Sequence, residues 1–123
     1  LAAVQGDPAS MPSEVMDLYR RPLQDSGNAK AALALMRMVA DGPEHASAPA
    51  LRDIEKYVNG LDIPVELVWG MKDPILAKGL PVMRGIFPAA PVTETEAGHF
   101  LQEEVPETVA EAVMRVVDVV QKN

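Results

Sequence analysis

Two titratable residues stand where a sheet could bring them together. Asp73 comes three positions after the apolar run of residues 63–70 (IPVELVWG), and His99 comes three after the alternating stretch of residues 91–96 (PVTETE). In open α/β sheets, functional groups collect just beyond the carboxyl ends of strands. Neighbouring strands lie about 4.8 Å apart, so side chains from their C-terminal loops can meet. A carboxylate that accepts a hydrogen bond from one imidazole nitrogen fixes the ring's tautomer and leaves the other nitrogen free as a base. Imidazole titrates near neutrality, which suits it to general-base work. Each residue also has an ordinary reading. A lone loop histidine is more often solvent-exposed or capping, and Asp-Pro is a common turn; the placement after two consecutive strands is what singles out the pair. His45 lacks that placement: it lies in a Gly/Pro-bounded loop between helices and reads as a surface residue.

The elements that must position the pair follow from periodicity and breakers. Residues 1–13 hold Gly6, Pro8 and Pro12 and read as an irregular lead-in, after which Ser13 can cap a short helix reaching Tyr19. Pro22 and the Asp25-Ser26-Gly27-Asn28 cluster break it. A helix is expected over residues 29–39, with Leu33, Met36 and Val39 on one face, ended by Asp41-Gly42-Pro43. His45 and Pro49 fall in the next loop, before a helix over residues 51–58. Residues 63–70 are nearly continuously apolar, as in a strand buried on both faces of a parallel sheet. Residues 77–87 suit a helix loosened by Gly79, Pro81 and Gly85, and residues 91–96 suit a charged edge strand. From Pro106 to Gln121 the periodicity is helical, with a stripe of Val109, Val113, Val116/Val117 and Val120. Pro106 fits the first turn, and Glu103, Glu104 and Glu107 suit the positive end of the helix dipole. Trp69 reads as core. The second half is thus strand–helix–strand–helix, the pattern of a parallel α/β sheet whose crossover is the intervening helix. Two strands make a poor sheet, so a further strand is expected from another polypeptide.

Composition removes several classes of function. Eighteen acidic against eleven basic residues give a net charge of −7; with no basic stripe to compensate, a nucleic-acid partner is not expected. The chain has no cysteine, which rules out disulfides and thiolate metal sites and fits a reducing, cytoplasmic setting. Two distant histidines offer no paired-ligand spacing, so no metal is expected. No GxGxxG or GxxxxGK[ST] loop occurs, and no cofactor is expected. No apolar run reaches the roughly 20 residues that span a bilayer, so no membrane partner is expected either. Leu1 is not an initiator methionine, which suggests a processed, cleaved or internally started chain.

WGMKDPIL (residues 69–76) and AGHFLQEE (residues 97–104) resemble the acid and histidine motifs of haloalkane dehalogenases, enzymes of the α/β-hydrolase fold. Upstream, YRRPL (residues 19–23) and ALMRMV (residues 34–39) resemble the segment where that family's cap domain returns to the main sheet. The likeness covers about residues 15–120. It implies the C-terminal portion of an α/β-hydrolase fold, its last two parallel strands with flanking helices preceded by a helical cap and return segment. Residues 1–27 would end the cap and residues 28–123 would belong to the core. It implies a two-step reaction: a nucleophilic aspartate on a strand–turn–helix elbow displaces halide, forming an alkyl ester, and a histidine then activates water to hydrolyse it. His99 would be that base and Asp73 its acid partner. Leu35, Met36, Val39, Ile75, Leu76 and Phe100 would line an apolar pocket for a small halogenated substrate, with ordinary core packing as the other reading of those six.

No GxSxG or aspartate-bearing elbow appears in the sequence. The chain alone is therefore expected to be inactive, and its partners are expected to be the N-terminal half of the same hydrolase as a separate chain, the apolar substrate and a halide ion. An epoxide hydrolase or esterase would share the same His and Asp. A non-catalytic interaction subunit that kept the fold is the alternative outside enzymes.

Overall fold

A computed structural model describes residues 1–27 and 29–122; Asn28, from the expected turn cluster, lies outside them. Contacts divide the chain into two units, Ser13–Leu61 and a second made of Leu1–Pro12 with Asp62–Asn123. The division differs from the cap boundary expected at residue 27, because the first twelve residues bond to the second half of the chain rather than to the helices that follow them.

The unit Ser13–Leu61 is helical: α1 Ser13–Asp25, α2 Ala29–Arg37 and α3 Ala48–Asn59. The first of these corrects the expected short helix, since α1 runs through Pro22. Proline removes the N–H that would bond the Leu18 carbonyl. Leu18 is exposed, so water can take that donor's place and the helix tolerates the break in its ladder. Helix α3 also starts earlier than its apolar pattern, because Pro49 sits in its first turn rather than in the preceding loop; there the missing N–H has no intrahelical partner to lose. Met38 and Val39 extend α2 by single turns, their amides reaching the Leu35 and Met36 carbonyls. His45 is not a free surface residue. Its Nε2 meets the Arg37 carbonyl at 3.1 Å and its Nδ1 accepts the Ser47 amide at 3.1 Å, so both ring nitrogens organise the α2–α3 loop.

The other unit is mixed. Strand β1 (Leu67–Gly70) and strand β2 (Val92–Thr95) pair in parallel, Leu67 opposite Val92 and Gly70 opposite Thr95. Between them run a 3-10 turn, Ala77–Gly79, and α4, Leu80–Ile86. After β2 come a short helix, α5 (Leu101–Glu104), that periodicity did not reveal, and α6, Pro106–Gln121, with the bounds expected. Two parallel strands joined through a helical crossover are consistent with part of an α/β fold.

The first strand is shorter than its apolar run. Register places Pro91 just before the residue opposite Leu67, and Pro91 has a carbonyl for the Leu67 amide, at 2.9 Å, but no N–H to return. Ile63 is exposed instead of buried. The face of α6 turned inward is also rotated from the valine stripe. Ala112 is buried while Val113 and Val120 stay exposed, because a small side chain lets the helix approach β1 more closely. Arg115 ties α6 to Glu66 at 3.0 Å. The ring of Trp69 lies against Gly79, and its Nε1 donates to the Ala77 carbonyl at 3.2 Å, so this residue anchors the start of the crossover. Leu67, Leu80, Ala97, Ala112 and Met11 are the buried apolar residues of this unit. Among the described residues, no helix is long and apolar enough to cross a membrane.

Candidate active site

Strand pairing does not stop where the strands end. The Met71 amide reaches the Thr95 carbonyl at 2.9 Å and the Lys72 amide reaches the Ala97 carbonyl at 3.1 Å. The Thr95 hydroxyl donates to the Trp69 carbonyl at 3.0 Å. Two loops are thereby laced together to within one residue of Asp73 and two of His99. Such closeness requires Gly70: a Cβ there would run into the carbonyl oxygens of Ala97 and Gly98. Gly70, the last residue of β1 and of the apolar run, is thus what lets the loops approach.

Asp73 turns back on itself. Its Oδ1 accepts the Ile75 amide at 2.7 Å and its carbonyl accepts the Ala77 amide at 3.2 Å, while Pro74 between them stiffens the turn. That local bond leaves Oδ2 for His99, whose Nδ1 lies 2.9 Å away. Side-chain exposure is 7% for Asp73 and 28% for His99, so the acid is enclosed and the base is reachable. An ionised carboxylate can only accept, which makes Nδ1 the protonated nitrogen and Nε2 the one with a lone pair to offer. Burial pushes the Asp73 carboxyl up, but the bonds from His99 and from the Ile75 and Leu76 amides outweigh it and hold the group below its usual value of 3.8. The Phe100 ring meets the imidazole edge to face, with centroids 5.2 Å apart. Geometry of this kind can orient a base, relay a proton through Nε2 and stabilise the imidazolium that results.

The six residues expected around a substrate divide between the two units. Leu35, Met36 and Val39 belong to the helical unit and are exposed in it; Ile75 and Leu76 follow Asp73 and are exposed, and half-buried Phe100 adjoins His99. Within the mixed unit the site therefore gathers Asp73, His99, Ile75, Leu76 and Phe100. Among the described residues, no group of three or more His, Asp or Glu side chains could hold a metal ion.

Sequence reasoning missed the residues that hold the histidine loop from its other side. Glu104, read only as a favourable charge near the last helix, accepts the Gly6 and Gly98 amides on Oε1 at 2.9 and 2.8 Å and the Asp7 amide on Oε2 at 2.7 Å. The Gln5 side chain exchanges two bonds with the backbone of Phe100. Gly98 and Glu104 lie six residues apart within one motif, but residues 5–7 are more than 90 residues from their partners, and no periodicity or motif joins the two segments.

Against known proteins, the chain is 30% identical, over an alignment of 107 positions that covers 85% of its length, to haloalkane dehalogenase 1 of Mycobacterium bovis and to haloalkane dehalogenase 1 of Mycobacterium tuberculosis. The chain covers 36% of each, so it spans about a third of the length of these curated relatives. No protein-family model and no solved structure matches it. The similarity to dehalogenases establishes a hydrolase-like relationship, in a chain whose paired parallel strands are consistent with part of an α/β fold.

Proposed function

We propose that these 123 residues supply the acid–base half of a haloalkane dehalogenase active site. The observation that carries this reading is the 2.9 Å bond between His99 Nδ1 and Asp73 Oδ2, made by loops that trail two paired parallel strands. The nucleophile would be an aspartate from a polypeptide segment outside these residues, most simply the N-terminal part of the same hydrolase. Its carboxylate displaces halide from the substrate carbon and leaves an alkyl ester. His99 Nε2 then takes a proton from water, and the resulting hydroxide attacks the ester carbonyl. The alcohol departs, the aspartate is restored, and Asp73 stabilises the imidazolium while it exists. Ile75, Leu76 and Phe100, beside the pair, would offer apolar surface to a substrate with almost nothing to hydrogen-bond.

The test combines the chain with the polypeptide bearing the elbow and follows halide release from a small bromoalkane. Release is expected from the mixture and not from the chain alone. With His99→Ala the mixture should release halide once per site and stop, leaving an alkyl adduct visible by intact mass. An acyl-serine formed from a simple carboxylic ester, with no halide released from the bromoalkane, would instead assign esterase chemistry to the same pair. Sustained turnover by the chain alone, or by the His99→Ala mixture, would overturn the proposal.

A further inference from the structure

The three backbone amides from Gly98 to Phe100 are all taken. Gly98 N–H is taken by Glu104 Oε1 at 2.8 Å, His99 N–H by the Val4 carbonyl at 2.8 Å, and Phe100 N–H by Gln5 Oε1 at 2.8 Å. Gln5 Nε2 returns a bond to the Phe100 carbonyl at 3.2 Å and another to Ser10 Oγ at 3.1 Å. Glu104 closes the arrangement from below, gathering Gly6 and Asp7 onto the same carboxylate that holds Gly98. The fit is close on both sides. A Cβ on Gly98 would collide with the backbone of Val4, Gln5 and Gly6, and one on Gly6 would collide with the carbonyl of Glu96. Gln5 is as buried as Asp73.

Backbone placement decides what an imidazole can do. His99 meets Asp73 through a single bond, and a histidine side chain turns about only two torsions, so the position of its Cα fixes whether Nδ1 reaches Oδ2. The local chain does not fix that position by itself, because the bonds that lace the two strand-end loops together stop at Ala97. From residue 98 onward the bonds to residues 4–7 and to Glu104 add to the local bond of the Glu103 amide on the Phe100 carbonyl.

We propose that Glu104 and Gln5 are positioning residues for His99, clamping residues 98–100 against residues 4–7 so that the imidazole stays on Asp73. The inference rests on the reading of His99 as a general base, and its test is separable from that reading. Neither residue touches substrate in this scheme. Each acts through the histidine, and a shift on the order of 1 Å in a reacting group can lower a rate by about 10²-fold.

The test reads the tautomer directly, on the full 123-residue chain labelled with nitrogen-15. Long-range proton–nitrogen spectra of the imidazoles contain two residues, and His45, held by Arg37 and Ser47 in the other unit, is the internal reference. In the unaltered chain His99 should be protonated at Nδ1. Glu104→Ala and Gln5→Ala should each move it to a mixture richer in the Nε2-protonated form, while His45 and the amides of β1 and β2 stay in place. Glu104→Gln, which keeps the shape and one accepting oxygen, should fall between. If Glu104→Ala does not fold, Gln5→Ala and Glu104→Gln decide by the same criterion. An unchanged His99 tautomer in the folded variants would overturn the proposal. Reconstituted activity that fails although the tautomer responds as expected would instead remove the general-base reading and leave the clamp standing. In an active assembly, Gln5→Ala should lower kcat by about 10²-fold with little change in KM.

Discussion

An enclosed carboxylate stays ionised only if donors replace the water it has lost, and Asp73 has donors on both oxygens: the Ile75 amide on Oδ1 and His99 on Oδ2, with the Leu76 amide also bonded to the carboxyl group. Asp73→Asn breaks this symmetry. The amide group can accept on one side and must donate on the other, so it either opposes the Ile75 N–H or forces the imidazole to carry its proton on Nε2. In a reconstituted enzyme the wrong tautomer should lower kcat by about 10³- to 10⁴-fold, measured as the decay of the alkyl-enzyme. Stability gives an independent readout. Asp73 titrates below its usual value, so the folded state binds the proton less readily than the unfolded one. The stabilisation is complete above the unfolded pKa and is lost as pH falls through the lower folded value. Urea midpoints measured from about pH 6 to about pH 3 should therefore fall more steeply for the unaltered chain than for Asp73→Asn. Parallel curves would remove Asp73 as a source of acid sensitivity. The contact itself was legible in sequence, because strand ends tell where loops meet. Its supports were not: Gln5 and Glu104 have no spacing that marks them, and only the folded chain brings residues 4–7 to residue 98.

Glycines and prolines test how the elements are built. Gly70 lies where two loops touch, and Gly85, near the end of α4, has open space around its Cβ position. Gly70→Ala should destabilise the chain by about 1–3 kcal/mol through overpacking, whereas Gly85→Ala should stabilise it by about 0.5–1 kcal/mol, since alanine restricts the unfolded chain and favours the helix. Equal denaturation midpoints for the two variants would show that the strand-end approach is not as tight as the geometry requires. At this scale the sequence reading succeeded where one residue both marked a boundary and continued the pattern, as Pro106 does for α6. It failed where a residue type spoke against its surroundings. Pro22 argues for a break, yet α1 continues around it, and Pro22→Ala should raise helical ellipticity if the lost bond is the only fault there. The trimming of β1 depended on Pro91, a residue of the opposite strand, and cross-strand register cannot be read from one strand alone.

At the scale of the chain, the balance between apolar surface and charge decides how it behaves alone. The buried apolar residues are few, while Leu35, Met36, Val39, Ile75, Leu76, Val113, Val120 and other large side chains are exposed. A groove of about 340 Å³ between β1 and α6 is lined by Val68, Val109, Val113, Val116 and Val117. Apolar surface on this scale is ordinarily covered by a partner or a further part of the fold. The net charge of −7 opposes self-association, but its repulsion is screened within about 8 Å at physiological ionic strength, whereas burial of apolar area is not screened at all. The chain by itself should therefore bind an apolar dye and self-associate as salt rises, as read by sedimentation velocity. Adding the polypeptide proposed to carry the nucleophile should suppress both. Val113→Glu places a charge on the groove without disturbing a buried contact, because Val113 is already exposed; it should weaken dye binding and assembly while leaving the helical spectrum unchanged. A monomeric chain that ignores the dye at high salt would mean that this surface needs no cover, and the assignment of the nucleophile to a docking polypeptide would fall with it.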